Sequence, residues 1–315
     1  MSFLSTAVQS VLEQGPFCAV AALTPRGPHC TPLVFAYSGG RLWLTTSRRS
    51  VKARAWRADP SIAGLVRHGE LTVVFTGTVK TYDALDRSTW GAAVAGATTI
   101  ARATATFSRK NARFFAGYAF DARQVPLAWT PPGRVFVGVD LDRTALLDAD
   151  GVQEGRGRWG GEPESLGTFR RVGKGADPLR GLPAEFTSQV GREGEAALSI
   201  VGRRGTVVLP VRWRADEHAL YAAMPAETLA LADAPAEAPV ALTIDRPSIW
   251  RARDMVGAMI QGTGSSAVIG TVGSGAKSLR ELATSIDPDG DAIVRIEPRR
   301  SVWWSGWSSG SADLS

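Results

Sequence analysis

The chain has 315 residues, of which 44% are hydrophobic and 21% charged, and its formal net charge is +6. These values are typical of a globular protein with a real core, built as one large domain or two of ordinary size. The arginines are scattered from Arg26 to Arg300 instead of forming one stripe. Nucleic acid is therefore disfavoured as a partner, whereas an acidic small molecule suits the charge.

The two cysteines and the amino terminus exclude further classes. Cys18 and Cys30 lack the spacing of a metal site and are too few for a disulfide framework. No basic region followed by an apolar run opens the chain, and no apolar stretch reaches transmembrane length. We therefore expect a cytoplasmic enzyme or binding protein with a small-molecule partner and without a metal, a membrane or a nucleic acid.

Short apolar segments separated by turns fill the first 145 residues. Spacing predicts a helix over 5–14, strands over 17–23, 29–36 and 41–45, a short helix over 51–58, and strands over 62–67, 71–81 and 134–141. Residues 83–120 are predicted to be mostly helical, with an aromatic face that either joins the core or covers a substrate. The pattern indicates an α+β protein dominated by a β-barrel or sheet.

The short helix over 51–58 starts among positive charges. Arg48, Arg49 and Lys52 crowd its first turn, where the helix dipole is already positive. A strand that leads into a helix start, with the hydroxyls of Ser47 and Ser50 among cations, has the geometry of a phosphate site. The alternative is a solvated basic turn.

The second half of the chain repeats the first. The segment from Ala19 aligns without gaps on the segment from Ala197, at a constant offset of 178 residues. FTGT at 75–78 resembles IQGT at 260–263, and VFVGVDLDR from Val135 resembles AIVRIEPRR from Ala292. Turns and strand cores match in a shared order, which indicates a duplication.

The repeat fails at the basic turn and across the middle of the chain. Glu227, Thr228 and Ala230 stand where the first half has Arg49, Ser50 and Lys52. A scaffold would require the cations in both halves, so the asymmetry favours an anion site in the first half only. Residues 149–182 are rich in glycine and charge and are interpreted as a surface linker with at most a short turn near 166–169. The predicted domains are 1–148 and 183–315.

Three motifs in order carry a family resemblance: GPHCTPLVF, LTTSRRSVKARAWRADP and VVFTGTVKTYD. With them the chain resembles the pyridoxamine 5'-phosphate oxidase-like split β-barrel proteins, the flavin/deazaflavin oxidoreductase superfamily. The resemblance implies two tandem split β-barrels that form a pseudo-dimer within one chain. It also implies one cofactor, FMN or the deazaflavin coenzyme F420, in the cleft between the barrels, because only the first barrel keeps the basic turn.

The resemblance also implies which residues hold that cofactor. Two strands would present backbone and hydroxyl groups to the ring and ribityl chain, and the basic turn would hold the phosphate. The tryptophans near the end of the chain either pack the barrels or stack on the ring. The implied residues are Thr31, Pro32, Leu33, Val34, Thr45, Thr46, Ser47, Arg49, Ser50, Lys52, Trp303 and Trp304. Val51 departs from the oxidases, which carry an arginine there, and no match to their pyridoxal-phosphate-binding residues is found.

Two functions follow as hypotheses. The first is an oxidoreductase that transfers hydride to or from a small organic substrate; no catalytic side chain is identified, because the ring carries the redox chemistry. The second is a non-catalytic protein that binds or sequesters a cofactor or haem on the same fold. His29, His68 and His218 are interpreted as surface or packing residues, which makes haem the weaker choice.

Two further segments leave alternatives open. GTVGSGAKS at 270–278 lacks the Gly-Lys-Ser/Thr run of a nucleotide-binding loop and is predicted to be a loop, with a possible role as a lid. Arg299 and Arg300 could reach an acidic substrate or a cofactor tail.

Overall fold

The computed structural model describes residues 4–120, 133–149, 151–166, 169, 177–217, 219–246, 248–249, 251–269 and 276–314. Most of loop 270–278, residues 270–275, therefore lies outside the described residues, and so does His218. No helix in the described part of the chain is long and apolar enough to cross a membrane.

The first half folds as a barrel with one helical insertion. Its elements are α1 (Thr6–Gln14), β1 (Cys18–Thr24), β2 (Gly27–Leu33), β3 (Phe35–Ser38), β4 (Arg41–Ser47), α2 (Val51–Ala58), β5 (Ser61–His68), β6 (Leu71–Tyr82), α3 (Trp90–Ala95), α4 (Ala97–Lys110), α5 (Ala112–Phe120), β7 (Arg134–Asp148) and β8 (Gly151–Arg156). The sheet runs in the order β2-β1-β5-β6-β7-β4-β3, with β8 paired to β7. Only Val34 separates β2 from β3, so the two ends of the sheet meet. The prediction of one strand over 29–36 is wrong at this break.

The helical insertion packs on the barrel. Phe107 and Phe114 are buried in a cluster with Phe17, Val34 and Ala36. This aromatic face therefore joins the core, one of the two roles expected for it.

The second half is a barrel of the same kind. Its elements are α6 (Ala184–Val190), β9 (Glu193–Gly202), β10 (Gly205–Ala215), β11 (Leu220–Met224), α7 (Ala226–Ala230), β12 (Glu237–Arg246), β13 (Val256–Val268), α8 (Ala276–Ile286), β14 (Ala292–Ser305) and β15 (Ser308–Asp313). The sheet runs β11-β10-β9-β12-β13-β14-β15, and pairing of β11 with β14 closes it. The predicted β-dominated α+β fold with two tandem split barrels is confirmed.

Strand register in the two barrels follows the predicted offset of 178 residues. Ala19 pairs with Pro32 between β1 and β2, and Ala197 pairs with Pro210 between β9 and β10. The duplication seen in the sequence is therefore a repeat of hydrogen-bonded structure, residue for residue in these strands.

A bulge recurs at the same place in each barrel. The register between β6 and β7 shifts at Gly77, and that between β13 and β14 shifts at Gly262. A Cβ atom at Gly77 would lie 2.3 Å from the carbonyl oxygen of Asp140, and one at Gly262 would lie 2.0 Å from that of Glu297. Glycine is required at both positions because another strand's backbone approaches so closely.

Strand β8 corrects the predicted linker. Asp148 pairs with Gly151 between β7 and β8, just as Ser305 pairs with Ser308 between β14 and β15. The repeat therefore continues to Arg156, and the interpretation of 151–156 as linker is wrong. The strand is an edge strand with few apolar residues, so its sequence lacks the alternation by which strands are recognised.

The two barrels pack side by side and share one core. Residues of β1, β5 and β6 join the residues of the second barrel in a single buried cluster. Buried polar groups cross the seam: the Thr243 hydroxyl donates to the Cys30 carbonyl at 3.0 Å, and the Gln261 amide donates to the Pro28 carbonyl at 2.7 Å. The pair of barrels is thus a pseudo-dimer within one chain.

Candidate functional site

A cleft of about 450 Å³ opens at the seam between the barrels. The first barrel contributes β2, the end of β4 and the start of α2, and the second contributes the β14–β15 hairpin. We call it the tryptophan cleft, after Trp303, Trp304 and Trp307, which form the wall on the side of the second barrel. Two segments about 250 residues apart in the chain meet here.

Ten of the twelve residues predicted to hold a cofactor line the tryptophan cleft. Val34 and Thr45 do not. Val34 is 7% exposed and packs against the aromatic residues of the helical insertion. Thr45 lies beneath the cleft, where its hydroxyl and its carbonyl accept hydrogen bonds from Arg134 at 3.0 and 2.8 Å. The expectation that these two residues reach a ligand directly is therefore not met.

The start of α2 forms one end of the cleft. Ser50 is the N-cap, and its hydroxyl accepts a hydrogen bond from the Ala53 amide at 3.0 Å. Thr46 donates to the same hydroxyl at 3.0 Å, which ties the end of β4 to the helix. The first amide groups of a helix have no acceptor within the helix, and they carry the positive end of its dipole. The cleft is therefore electropositive at this end.

Of the three cations in the basic turn, Arg48 has a carboxylate partner among the described residues. Arg48 forms an ion pair of 2.6 Å with Asp83, a carboxylate that is 3% exposed, and Arg57 lies 3.8 Å from the same residue. Arg48 is therefore neutralised by the chain itself.

Arg49 and Lys52 have no such carboxylate among the residues that the structure describes. Arg49 is exposed at the cleft. Lys52 is 3% exposed, and its ammonium donates to the hydroxyl and the carbonyl of Thr31. Burial lowers the pKa of Lys52 to about 8. A buried ammonium without a counter-ion is costly, so an anion in the cleft would offset a penalty that the fold carries.

His29, interpreted from the sequence as a surface or packing residue, is half-buried and lines the cleft. Burial, with the charges of Lys52 and Arg300 nearby, lowers the pKa of His29 to about 3. Its imidazole is therefore neutral at physiological pH and offers one donor and one acceptor. His68 is exposed at the end of β5, as predicted.

Arg134 is a cleft residue that sequence reasoning missed. It lies opposite Ser47 in the ladder between β4 and β7, and its guanidinium holds Thr45 through two hydrogen bonds. The repeat contained a signal for it. The offset of 157 residues that aligns the two closing strands places Asp291 opposite Arg134, a second reversal of charge.

The tryptophan wall is fixed by packing and still faces the cleft. The Trp303 ring packs edge-on against Phe186, with 6.3 Å between centroids. Trp304 covers Gly257, where a Cβ atom would lie 2.4 Å from the indole. All three tryptophans are only partly buried. The two roles considered for them are therefore compatible. Trp303 and Trp304 pack on the second barrel, Trp307 packs against the aromatic cluster of the first barrel, and all three line the cleft, where indole surface suits a planar ring.

The equivalent place in the second half is filled by the chain. Glu227, the counterpart of Arg49, accepts a hydrogen bond from the Val152 amide of β8 at 2.6 Å. Asp291, the counterpart of Arg134, accepts one from the Ala226 amide, the first of α7. Asp291, a carboxylate of the protein itself, thus satisfies the first amide of α7, and Glu227 ties the start of this helix to β8, whereas the start of α2 faces the cleft.

Comparison with known proteins gives one family. Residues 4–124 match the family model described as "Pyridoxamine 5'-phosphate oxidase". The match contains the basic turn and all of α2. No curated protein sequence matches the chain.

Several solved structures are similar to part of the chain. An FAD-binding protein from Mesorhizobium loti shares 20% identity, with 45% of this chain and 94% of that chain covered and a TM-score of 0.34. A pyridoxamine 5'-phosphate oxidase-related, FMN-binding protein from Nostoc punctiforme shares 16%, with 48% and 86% covered and a TM-score of 0.35. An F420 reductase shares 19%, with 45% and 98% covered and a TM-score of 0.30.

Proposed function

Since the chain belongs, through its first barrel, to the pyridoxamine 5'-phosphate oxidase-like split-barrel family, we propose that it is a flavin-type oxidoreductase. Its cofactor, FMN or the deazaflavin coenzyme F420, would lie in the tryptophan cleft, one per chain, and exchange hydride with a small organic substrate. One observation carries the proposal: Arg49 and Lys52, which have no carboxylate partner in the described part of the chain, face a tryptophan wall across a single cleft.

The phosphate of the cofactor fits the end of the cleft at α2. Arg49 supplies an exposed guanidinium, Lys52 a buried ammonium, and the helix start its first amides. Contacts of this kind contribute roughly 0.5–3 kcal/mol each to holding an anion. Arg134 supports the same end from β7, since it fixes Thr45 beneath the cleft.

The ring of the cofactor fits the opposite end. Trp303 and Trp304 offer planar apolar surface, and Leu33 and Met255 add aliphatic contacts. A volume of about 450 Å³ is within the usual range for small-molecule sites. The bound ring would supply the redox chemistry. The residues of this chain would orient the ring, exclude water from one side of it and leave room for a substrate on the other.

Titration of the purified protein with FMN and with coenzyme F420, followed by the fluorescence of each cofactor, tests the proposal. We expect quenching that saturates near one equivalent per chain. Combining Arg49→Ala with Lys52→Met removes both cations and should weaken binding by about 100-fold or more, because two charge-assisted contacts are lost. Arg280→Ala, an exposed arginine on α8, serves as the control and should bind as wild type.

The outcomes separate the hypotheses. Unchanged affinity in the double variant, with its fold intact by circular dichroism, would contradict the proposed site. A bound cofactor that no reductant reduces and no acceptor reoxidises would favour the non-catalytic alternative instead.

A further inference from the structure

A second cleft continues from the tryptophan cleft along the seam. Its volume is about 600 Å³, and His29, Val51, Val302 and Ser309 line both clefts. We call it the arginine cleft, after Arg26, Arg54 and Arg300 in its lining. The two clefts form one groove, in which the start of α2 lies between the tryptophan wall and the three arginines.

The charge of the arginine cleft is largely uncompensated. Arg26 and Arg54 are exposed and have no carboxylate partner among the residues that the structure describes. Arg300 donates to the Ser311 hydroxyl at 2.9 Å and lies 3.8 Å from the exposed carboxylate of Asp313. No described residue that lines this cleft carries a carboxylate. Like charges collected along a groove focus a positive potential into it.

The repeat again shows that the fold does not require this charge. Val207 and Ala232 stand where the first half has His29 and Arg54. Both are buried, so the second half fills these positions with apolar side chains.

The counterparts of Arg26 and Arg300, which the repeat does keep, are held by other side chains. A cleft of about 410 Å³ contains Arg204 and Arg143, the counterparts of Arg26 and Arg300, together with Asp59 and Asp142. Arg204 forms an ion pair of 2.9 Å with Asp233. Arg143 donates to Thr76 at 2.9 Å and its guanidinium lies 4.8 Å from the Trp159 ring. These two kept arginines thus have partners, whereas Arg26 and Arg54, in the groove that passes the start of α2, have no carboxylate partner among the described residues.

We propose that the arginine cleft binds a second anionic group, linked to the cofactor through the phosphate that Arg49 and Lys52 hold. This inference rests on the proposed function and narrows it to cofactors that extend beyond that phosphate. Arg54 follows Val51 by one turn of α2, so a group attached to the phosphate enters the arginine cleft directly. FMN ends at its phosphate and leaves the three arginines without an anion. A further phosphate, as in FAD, or carboxylates, as in the F420 tail, would pair with them.

Dissociation constants of FMN, FAD and coenzyme F420 for the full chain test the inference. At least one extended cofactor should bind about tenfold or more tightly than FMN, and which one does so identifies the anion as phosphate or carboxylate. Arg26→Ala combined with Arg54→Ala should weaken the extended cofactor by about tenfold, since two exposed ion pairs are lost. FMN affinity should stay within about twofold of wild type in the same variant. The advantage of the extended cofactor should also shrink as salt is raised.

Arg158→Ala is the matched control, because Arg158 is an exposed arginine in the cleft that contains Arg204 and Arg143. It should leave all three dissociation constants unchanged. Equal binding of FMN and both extended cofactors, or an advantage that survives loss of Arg26 and Arg54, would overturn the inference and leave the proposed function standing. Failure of all three cofactors to bind would overturn the proposed function itself.

Discussion

The starts of α2 and α7 occupy the same place in two copies of one fold and carry opposite charges. Arg49 lies at the first and Glu227 at the second. The first faces a cleft, whereas at the second Asp291 accepts a hydrogen bond from the Ala226 amide and Glu227 accepts one from β8. A helix start must be satisfied by some acceptor. The second copy takes its acceptors from its own chain, and the first keeps the position open to a ligand.

The comparison separates what the fold needs from what a ligand needs. The bulge glycines Gly77 and Gly262 are kept in both copies because backbone contacts demand them. The charges at the helix starts are not kept, so the barrel does not depend on them. In this chain the charges that differ between the two helix starts therefore indicate a ligand, and the two shared bulge glycines indicate structure.

Exchanging the two charged residues should have the largest effect. Arg49→Glu gives the first copy the residue of the second and should weaken cofactor binding by about 100-fold or more, because a contact is lost and a repulsion is added. Isothermal titration calorimetry measures the affinity and the stoichiometry.

The reciprocal Glu227→Arg should leave the stoichiometry at one, since Asp291 and β8 still fill the second position. Two equivalents bound by Glu227→Arg would mean that a single residue closes the second site. Wild-type affinity in Arg49→Glu would mean that the first site lies elsewhere.

A pH-dependent effect is expected at Asp245, the counterpart of Arg67. Arg67 donates to Glu195 and to the Ala196 carbonyl across the seam. Burial raises the pKa of Asp245 to about 6, although Arg67 partly opposes this. The folded state thus holds a proton that the unfolded state loses near pH 4, so the free energy of unfolding falls as the pH rises from about 4 to about 6.

Asp245→Asn removes the cost of ionising this buried carboxyl group. It should stabilise the protein by about 2 kcal/mol at neutral pH and by much less near pH 4. Urea unfolding of both proteins at the two pH values measures the difference. An equal gain at both would show that the ionisation of Asp245 is not its cause.

The smallest effect concerns the bond between α7 and β8. Glu227→Ala removes the acceptor of the Val152 amide and should lower the free energy of unfolding by about 1 kcal/mol. Arg49→Ala should instead leave the cofactor-free protein as stable or a few tenths of a kcal/mol more stable, because it removes a cation from the positive end of a helix. Chemical denaturation of both variants without cofactor compares their free energies of unfolding. A shift of the same sign and size in both would mean that the two helix starts are equivalent in the folded protein.

Local signals in the sequence predicted local structure well. The helix over 51–58 is found at those residues because its cap, Ser50, and its stop, Pro60, lie beside it in the chain. The strand predicted over 29–36 breaks at Val34 into β2 and β3. These two strands stand at opposite ends of the strand order, and they meet where the barrel closes. That closure involves strands far apart in sequence and leaves no local pattern.

The family resemblance supplied most residues of the candidate site, the comparison of the two copies assigned the anion site to the first half, and the remainder depended on distant contacts. The partner of Arg48 is Asp83, 35 residues further along the chain, so nothing near Arg48 revealed it. His29 was not among the predicted site residues, because only the second barrel turns its position on β2 into the wall of a cleft. Arg134 was within reach, since its reversal to Asp291 follows from the alignment of the closing strands.

The separation of the two cleft walls along the chain has a consequence for biosynthesis. The residues at the start of α2 leave the ribosome long before the tryptophan wall on β14. Since domains fold as they emerge, the first barrel can fold while the site still lacks one side. A cofactor held between the two walls would bind firmly only after β14 has been synthesised, so loading with cofactor would report that both halves have been made and folded.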